Sequence, residues 1–423
     1  MIQAMYSGIT GMKAFKTQLD VIGNNIANVN TTAYKAESIS FQETLTQTIK
    51  GASAPTSDNG GINPSQVGLG VAVGTINIDN SQGNKTATGK DTDLAVDGNG
   101  YFVLGNSDSV AYTRDGSFAL DSQYNLVSSS SGMKVLGWQA DLNTGVLDTS
   151  KAVASDSGIK IPVGGLSLAQ QTSKVTLAGN LDASAADNTE YKMQFDVYDS
   201  LGVTHQVHVK FKKLPVDETV TPAVKPSTWG YEVTSPDVTG TITSGNIAFD
   251  DKGYSTLDTI NLSMTLATPD GSKDPLVASI NVGDLSQLDA TTSSVNMSYQ
   301  DGLALGTLES YGIDSSGTIV GTFTNGSSRT LGQIALAGFN NPAGLDRVGN
   351  NLVMESPNSG NAIIGVPGTN GIGTVSSGYL EASNVDLANE FANMITAQRG
   401  FQANSRIITT SDEVLQELVS LKR

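Results

Sequence analysis

The sequence predicts a mainly β chain of several domains with long α-helical termini. Its 423 residues exceed what one hydrophobic core usually serves, so roughly two to four domains are expected. Glycine, with 46 residues, exceeds its usual share of ~7%, and only 15% of residues are charged, which suits turn-rich β structure. An apolar repeat of seven residues occurs at both chain ends, where it favours helices.

The first stretch places an apolar residue at every seventh position, with further apolar residues beside each of them. This spacing predicts a helix with one apolar seam. The N-terminal seam residues are Met5, Met12, Leu19 and Ile26.

The last stretch repeats the pattern, with the seam residues Leu387, Met394, Phe401, Ile408 and Leu415. Ser383, followed three residues later by Asp386, resembles a capping box at the start of this helix. Lys422 and Arg423 would suit the negative end of its dipole. A helix of about 38 residues would be ~57 Å long.

Two interpretations of these seams stay open. They could belong to an ordinary core, or they could pair with each other or with neighbouring molecules. The second is favoured because each helix adjoins a polar stretch rich in Gly, Ser and Asn, residues 51–70 and 356–378, and not a β core.

The residues between the helices form short β-prone runs separated by turn residues. Within Leu94–Leu104, Asp-Gly and Asn-Gly pairs separate such runs, which is a hairpin signal because these residues tolerate positive φ. Similar pairs recur further along the chain. The pattern predicts two β-sandwich or barrel-like domains.

Charge and composition exclude several functions. The formal net charge of −17 argues against binding to nucleic acid or to an anionic membrane surface, since both require clustered cations. Without cysteine there is no disulfide, thiolate nucleophile or thiolate metal site. No apolar run approaches the ~20 residues that span a bilayer, and the start lacks the basic and apolar regions of a cleaved secretory signal.

Residues suited to catalysis are scarce, so no enzyme activity, metal or cofactor is expected. The two histidines, His205 and His208, fall on opposite faces of an alternating strand and cannot chelate one ion. Asp97–Gly100 and its neighbour Asp91–Asp93 lack the spacing and terminal Glu of a calcium loop and are predicted to be turns. No Ser-His-acid set or phosphate loop can be assembled.

Two long motifs at the chain ends carry a family resemblance. Leu19–Lys35 resembles the N-terminal signature of bacterial flagellar rod and hook proteins, and Ser383–Asn404 resembles their C-terminal signature. Blocks 97–102, 112–118 and 135–138 are similar to the shared β domain of these axial proteins, and block 301–345 resembles the hook members in particular. One departure is Ala33, where the family usually has Gly.

The resemblance implies a structural subunit of the flagellar hook, a flexible tube that transmits torque from rod to filament. In this family the terminal helices surround a central export channel and the β domains form outer layers. The implied partners are other copies of the chain, the distal rod, the hook cap, the hook–filament junction proteins and the flagellar type III export apparatus. The implied location is extracellular, reached without a cleaved signal peptide.

The resemblance also implies a division of the chain. Residues 1–30 and 384–423 would form a helical inner domain, 31–75 and 356–383 linkers, 76–148 and 300–355 an inner β domain, and 149–299 an outer inserted β domain. Rod proteins are expected to lack this insert. Five polar residues of the last helix could line the channel, although a simple solvated face would look the same: Gln398, Arg399, Gln402, Asn404 and Arg406.

Two rival functions remain at this stage. One is another flagellar axial protein, either distal rod or hook-associated. The other is an extracellular β-rich adhesin or carbohydrate-processing enzyme, which the shortage of histidine and of paired acids disfavours.

Overall fold

The computed structural model describes residues 2–55, 60–106, 109–141, 144–165, 167–215, 228–238, 241–265, 272–273 and 275–420. Lys422 and Arg423, predicted to end the last helix, lie outside these residues.

The described residues form two α-helices, α1 (Ile2–Ala27) and α2 (Leu387–Ser420), separated by short strands. The strands of the first half are β1 (Glu37–Glu43), β2 (Thr46–Lys50), β3 (Ser65–Gly68), β4 (Val71–Ile78), β5 (Lys85–Ala87), β6 (Leu94–Asp97), β7 (Tyr101–Gly105), β8 (Val110–Thr113), β9 (Phe118–Leu120), β10 (Leu126–Ser128), β11 (Lys134–Val135), β12 (Gly137–Gln139), β13 (Ser167–Gln170), β14 (Lys174–Asn180), β15 (Glu190–Tyr198) and β16 (Thr204–Lys213). The remaining strands are β17 (Thr228–Thr234), β18 (Thr241–Ala248), β19 (Thr259–Met264), β20 (Leu276–Asn281), β21 (Leu285–Ser286), β22 (Ser294–Gln300), β23 (Leu303–Ile313), β24 (Thr318–Phe323), β25 (Ser328–Ile334), β26 (Leu336–Gly338), β27 (Asp346–Gly349), β28 (Leu352–Met354), β29 (Ile363–Gly365), β30 (Thr374–Ser377) and β31 (Tyr379–Glu381). A short 3₁₀ turn covers Pro342–Gly344.

Both terminal helices are present, which confirms the predicted fold class. The N-cap of α2 lies three residues after the predicted Ser383: the Asp386 carboxylate accepts hydrogen bonds from the backbone N–H groups of Ala388 and Asn389. Ser383 instead accepts a bond from Val385 N–H outside the helix. In the described part of the chain, neither helix is long and apolar enough to cross a membrane.

The inner β domain packs a nine-stranded sheet against a five-stranded sheet. The first runs β27-β28-β8-β7-β11-β10-β9, with β26 joined to β7 and β29 to β26, and the second runs β12-β25-β24-β23-β13. The core between them includes an edge-to-face contact of Phe102 and Phe118, whose ring centroids are 5.0 Å apart. Other residues of this core are Leu94, Val96, Leu104, Leu126, Ile319, Phe323, Leu331 and Leu336.

The segment 356–383, predicted as a linker, carries three strands. In it β29 pairs with β26, β30 with β6, and β31 with β5. The polar composition that suggested a linker reflects short strands connected by turns, with Asn370 and several glycines at positive φ.

The inserted domain is a β-sandwich with its own core. One sheet runs β15-β16-β17-β18, and the other runs β19-β20-β14-β21 with β22 on β14. In β16 the buried residues alternate strictly, so His205 is buried with Phe211 while His208 faces outward, as predicted. The core that the two sheets share includes Val175, Leu177, Phe195, Val207, Trp229, Val233, Ile247, Leu262, Ile280 and Val295.

The chain leaves the inner domain to form the insert and returns to it at the same point. Ser173 donates both its N–H and its hydroxyl to the Asp301 carboxylate, and Thr172 is fully buried beside Gly302. The sandwich therefore covers about residues 174–300. Residues 149–165, assigned to the insert from the sequence, pack on the inner domain instead, because Ile159 and Ile161 are buried in its core.

A recurring turn closes several hairpins. In Asp199–Val203, Asp250–Tyr254 and Asp314–Thr318 the carboxylate accepts the N–H groups two and four residues later. The fourth residue of each is glycine at positive φ. This Asp-x-x-Gly spacing forms an Asx turn and serves the same purpose as the Asp-Gly and Asn-Gly pairs that predict hairpins.

Replacing Phe211 by Ala should lower the free energy of unfolding of the inserted domain by about 3–5 kcal/mol, because a fully buried ring leaves a cavity. Chemical denaturation followed by Trp229 fluorescence would measure it. The matched control is Tyr299→Ala, whose side chain is exposed. Equal effects of the two changes would contradict the separate core described here.

Candidate assembly surface and the junction behind it

The helices α1 and α2 pack antiparallel through their smallest residues. A Cβ on Gly11 would lie 2.8 Å from the Asn404 side chain, and a Cβ on Gly400 would lie 2.5 Å from the Phe15 ring. Ala397 is fully buried at the same contact. Glycine lets the two backbones approach closely, so this contact is tight.

Most of the predicted seam residues lie along one edge of this contact, but Ile408 lies within it, 3.3 Å from the position of a Cβ on Gly8. Because 3.6 residues per turn drifts ~20° per heptad against a strict seven-residue repeat, a heptad seam moves gradually around a straight helix. Seven of the nine seam residues are half-buried: Met5, Met12, Leu19, Ile26, Met394, Ile408 and Leu415. Leu387 and Phe401 are 40% and 38% exposed.

The seams of both helices line the same side of the pair. In two antiparallel helices that face each other, residues displaced in the same rotational sense from the contact point lie on the same side of the pair. The α1 seam and the first three seam residues of α2, Leu387, Met394 and Phe401, are displaced in that sense. Phe391 and Ile395, which flank the predicted seam, are 50% and 54% exposed. They lie further around α2, seven residues before Gln398 and Gln402 and therefore on nearly the same side as those residues. We call Met5, Met12, Leu19, Ile26, Leu387, Met394 and Phe401 the open seam.

A β-hairpin covers another side of α1. It consists of β1 paired with β4 and β2 paired with β3, all within residues 37–78. Most of this segment was predicted to be a linker. Phe41 meets Phe15 edge to face at 5.8 Å, and Val71 N–H donates to the Thr10 hydroxyl. Ala14 and Val21 of α1 are buried, whereas the open seam has no such cover from the described residues.

The five residues proposed for the channel separate into two groups. Gln398, Arg399, Gln402 and Arg406 are all exposed and lie within about 100° of one another around α2, on the side turned away from α1. Asn404 does not share this side. It is half-buried against Gly11, and its side-chain amide donates to the Gly400 carbonyl at 2.9 Å.

A buried ion cluster joins both helices to the inner domain. Glu381, just before α2, is 1% exposed. Its carboxylate lies 2.6 Å from the Lys35 ammonium, just after α1, and 3.4 Å from the Arg114 guanidinium of the inner domain. Lys35 also donates to Ser81 O, and Arg114 donates to Gly98 O. Burial lowers the pKa of Lys35, and the neighbouring Glu381 carboxylate opposes this shift.

Backbone contacts tighten the same junction. Ala33 has φ 55° and its N–H donates to the Glu381 carbonyl at 2.8 Å. Alanine therefore adopts the left-handed conformation that the family's usual glycine would favour. This conformation raises the energy of the folded backbone by roughly 1–2 kcal/mol. Asn384 accepts a bond from Ala36 N–H, and Arg347 contacts the Glu37 carboxylate and lies over the Tyr34 ring.

Asn25 links the helix contact to the junction. It is fully buried, and its side chain bonds the N–H and carbonyl of Glu37 and the Glu390 carboxylate. Burial raises the pKa of Glu390. None of these residues was singled out from the sequence. Asn25, Lys35, Arg114 and Glu390 lie within motifs that carry the family resemblance, whereas Glu381 lies outside them.

Among the described residues, no group of three or more His, Asp or Glu side chains is placed to hold a metal ion. His205, in the inserted domain, lies with Nδ1 2.9 Å from the Asp237 carboxylate.

Four family models match the chain. A flagellar basal body rod protein model matches residues 5–35, and a flagellar hook protein D1 domain model, shared by FlgE, FlgF and FlgG, matches 95–181. A flagellar basal body protein FlaE D2 domain model matches 167–303, and a flagellar basal body rod FlgEFG C-terminal model matches 376–421.

Full-length relatives agree with these models. The chain is 38% identical to the flagellar hook protein FlgE of Treponema pallidum, with 100% of each chain covered. It is also 31% identical to the flagellar basal-body rod protein FlgG of Bacillus subtilis, again with 100% of each covered. A protein named for the rod thus spans the same length, so the expectation that rod proteins lack the insert is wrong as a general rule.

The fold also resembles a solved structure. The flagellar hook protein FlgE2 of Helicobacter pylori superposes with a TM-score of 0.53 at 18% identity, covering 70% of this chain and 100% of that one. This likeness concerns the fold alone.

Replacing Glu381 by Gln should lower the free energy of unfolding of the inner domain by about 3–5 kcal/mol, because Lys35 and Arg114 would keep buried charges without a counter-ion. Thermal and chemical unfolding would measure it. The control Asp97→Asn removes the exposed ion pair with Lys85 and should cost less than about 1 kcal/mol. A similar small effect of both changes would refute the anchoring role of Glu381.

Proposed function

This chain belongs to the family of bacterial flagellar hook proteins, and we propose that it polymerises with copies of itself into the flagellar hook. The observation that carries the proposal is the open seam. Two long helices at the chain ends pack against each other and still leave large apolar side chains exposed along one side, among them Leu387 and Phe401. Isolated helices gain most of their stability from packing, and further copies of the chain would supply it.

The tube places the helix pair inside and the β domains outside. The side of α2 with Gln398, Arg399, Gln402 and Arg406 then faces a central channel. Hydrated polar groups on the channel wall bind an unfolded chain weakly, so the chain can pass through. Asn404 is left out of this role because it packs against Gly11. The inserted sandwich lies outermost, where Thr, Ser and Lys side chains exchange polar contacts with neighbours as a bent tube rotates and transmits torque.

The same proposal includes location and partners. The protein acts in the bacterial flagellum, outside the cell, and reaches it unfolded through the flagellar type III export apparatus without a cleaved signal peptide. Its ends meet the distal rod on one side and the hook–filament junction proteins on the other, and a hook cap guides growth. These partners rest on the family resemblance.

The proposed role is non-enzymatic. The described residues contain no candidate metal cluster, and the two histidines lie on opposite faces of β16. A positive glycan-binding or hydrolysis screen would revive the rival of an adhesin or carbohydrate-processing enzyme. Electron microscopy of the purified protein separates the rivals within the family, because curved tubes indicate a hook and straight ones a rod.

Replacing Leu387 or Phe401 by Asp should block assembly while leaving the β domains folded. Both side chains are partly exposed in the single chain, so the charge costs little there, but in a packed seam it must be desolvated without a partner. Sedimentation and negative-stain microscopy would measure assembly, and circular dichroism would report folding.

The matched control is Gln402→Asp, which places the same charge on the exposed side of α2. Tubes formed normally by the Leu387 and Phe401 variants would mean that the seam faces solvent or the channel. Assembly lost equally in all three variants would show a general effect of charge on α2.

Replacing residues 174–300 by a short Gly/Ser linker should preserve export and polymerisation but change the curvature and bending stiffness of the tube. The ends of this segment are held together by Ser173 and Asp301, so a short linker can close the gap. Microscopy of the resulting tubes would decide. Unaltered curvature would remove the mechanical role of the sandwich, and complete loss of tubes would assign it essential assembly contacts.

A further inference from the structure

The side of α2 turned away from α1 carries an ordered set of charges. Arg399, Arg406, Glu413 and Glu417 are all exposed and lie on this side, within about 60° of one another around the helix axis. Within the described part of the chain, none of these four side chains has an ion-pair or hydrogen-bond partner. We call these four residues the charged stripe.

The cations and the carboxylates of the stripe lie at different positions along the axis of α2, which we call heights. Asn404 packs against Gly11 and Gly400 against Phe15, so the two arginines lie beside the middle of α1. Glu413 and Glu417 lie further along α2, level with or beyond the start of α1 at Ile2. Arg399 precedes Glu413 by 14 residues and Arg406 precedes Glu417 by 11, which correspond to roughly 16–21 Å along the helix.

This order makes one arrangement of neighbouring copies favourable and another unfavourable. Two parallel α2 helices at the same height would place arginines beside arginines and glutamates beside glutamates. A relative shift of roughly 16–21 Å instead brings both arginines of one copy beside both glutamates of the next. Like charges set side by side disfavour an arrangement and opposite charges favour it, which fixes register more than affinity.

We infer that α2 helices of neighbouring copies pack with this axial shift, Arg399 pairing with Glu413 and Arg406 with Glu417 of the adjacent copy. The inference rests on the proposed function, since it requires a polymer of this chain. It also bears on the channel: each copy contributes two cations and two carboxylates, so these charges balance, and the neutral Gln398 and Gln402 lie on either side of Arg399 in the sequence.

A charge-reversal series tests the pairing. Arg399→Glu with Arg406→Glu should raise the critical concentration for assembly about tenfold at low salt, because two pairs are replaced by repulsion. Glu413→Arg with Glu417→Arg should do the same. All four changes together recreate the pairs with opposite polarity and should bring the critical concentration back to within about threefold of the wild type.

The control is Lys13→Glu with Lys16→Glu, two exposed cations at the same height but on α1, away from the stripe. This variant should shift the critical concentration by less than about threefold. For the wild type, raising the salt from ~0.05 M to ~0.5 M should weaken assembly, since screening shortens the reach of exposed charges. Sedimentation of tubes at graded protein concentrations measures all of these.

The outcomes separate this inference from the proposed function. A wild-type protein that forms no tubes under any condition contradicts the proposed function. A wild type that assembles while the doubly reversed arginine variant assembles equally well overturns the pairing alone. Failure of the fourfold variant to recover, with its β domains folded by circular dichroism, also overturns it.

Discussion

The carboxylate of Glu381, buried between Lys35 and Arg114, is the contact on which the rest of the molecule depends. It joins the segment just before α2 to two residues: Lys35, just after α1, and Arg114, in the inner β domain. They are 346 and 267 positions from Glu381 along the chain. Because a buried charge is stable only when paired, the three segments must meet at this point or none of them can be buried there. The two helices consequently leave the β domain side by side.

The helix pair that emerges from this junction is incompletely packed. Glycine and alanine lie at its centre, so the two backbones come close. Large apolar residues remain on one side as the open seam, while the hairpin of residues 37–78 covers another side. A chain built in this way is well suited to be one unit of a polymer. Most of its fully buried residues lie in the β domains, and neighbouring copies would cover the exposed apolar residues of its helices.

The inserted sandwich is independent of this arrangement. It has its own core, separate from the inner core, and both of its connections pass through the Asp301 and Ser173 contact. Changes within the sandwich can therefore alter the outer surface without disturbing the junction at Glu381. In a tube, such a separation allows the inner contacts to hold the polymer while the outer domains respond to bending.

Much of this protein is determined by local pattern and could be predicted from the sequence. The heptads at both ends specify helices, and the alternation through His205 to Phe211 specifies a strand with one buried face, because each depends only on residues within a few positions. Tertiary structure decided what these patterns contact. Because a heptad pattern drifts around a straight helix, Phe401 lies at an exposed edge of the helix pair. Because the helices meet closely at glycine, Asn404 lies against Gly11. The partners of Glu381 lie hundreds of residues away, so no local pattern marks it, and its role arises only when the chain ends are brought to the inner domain.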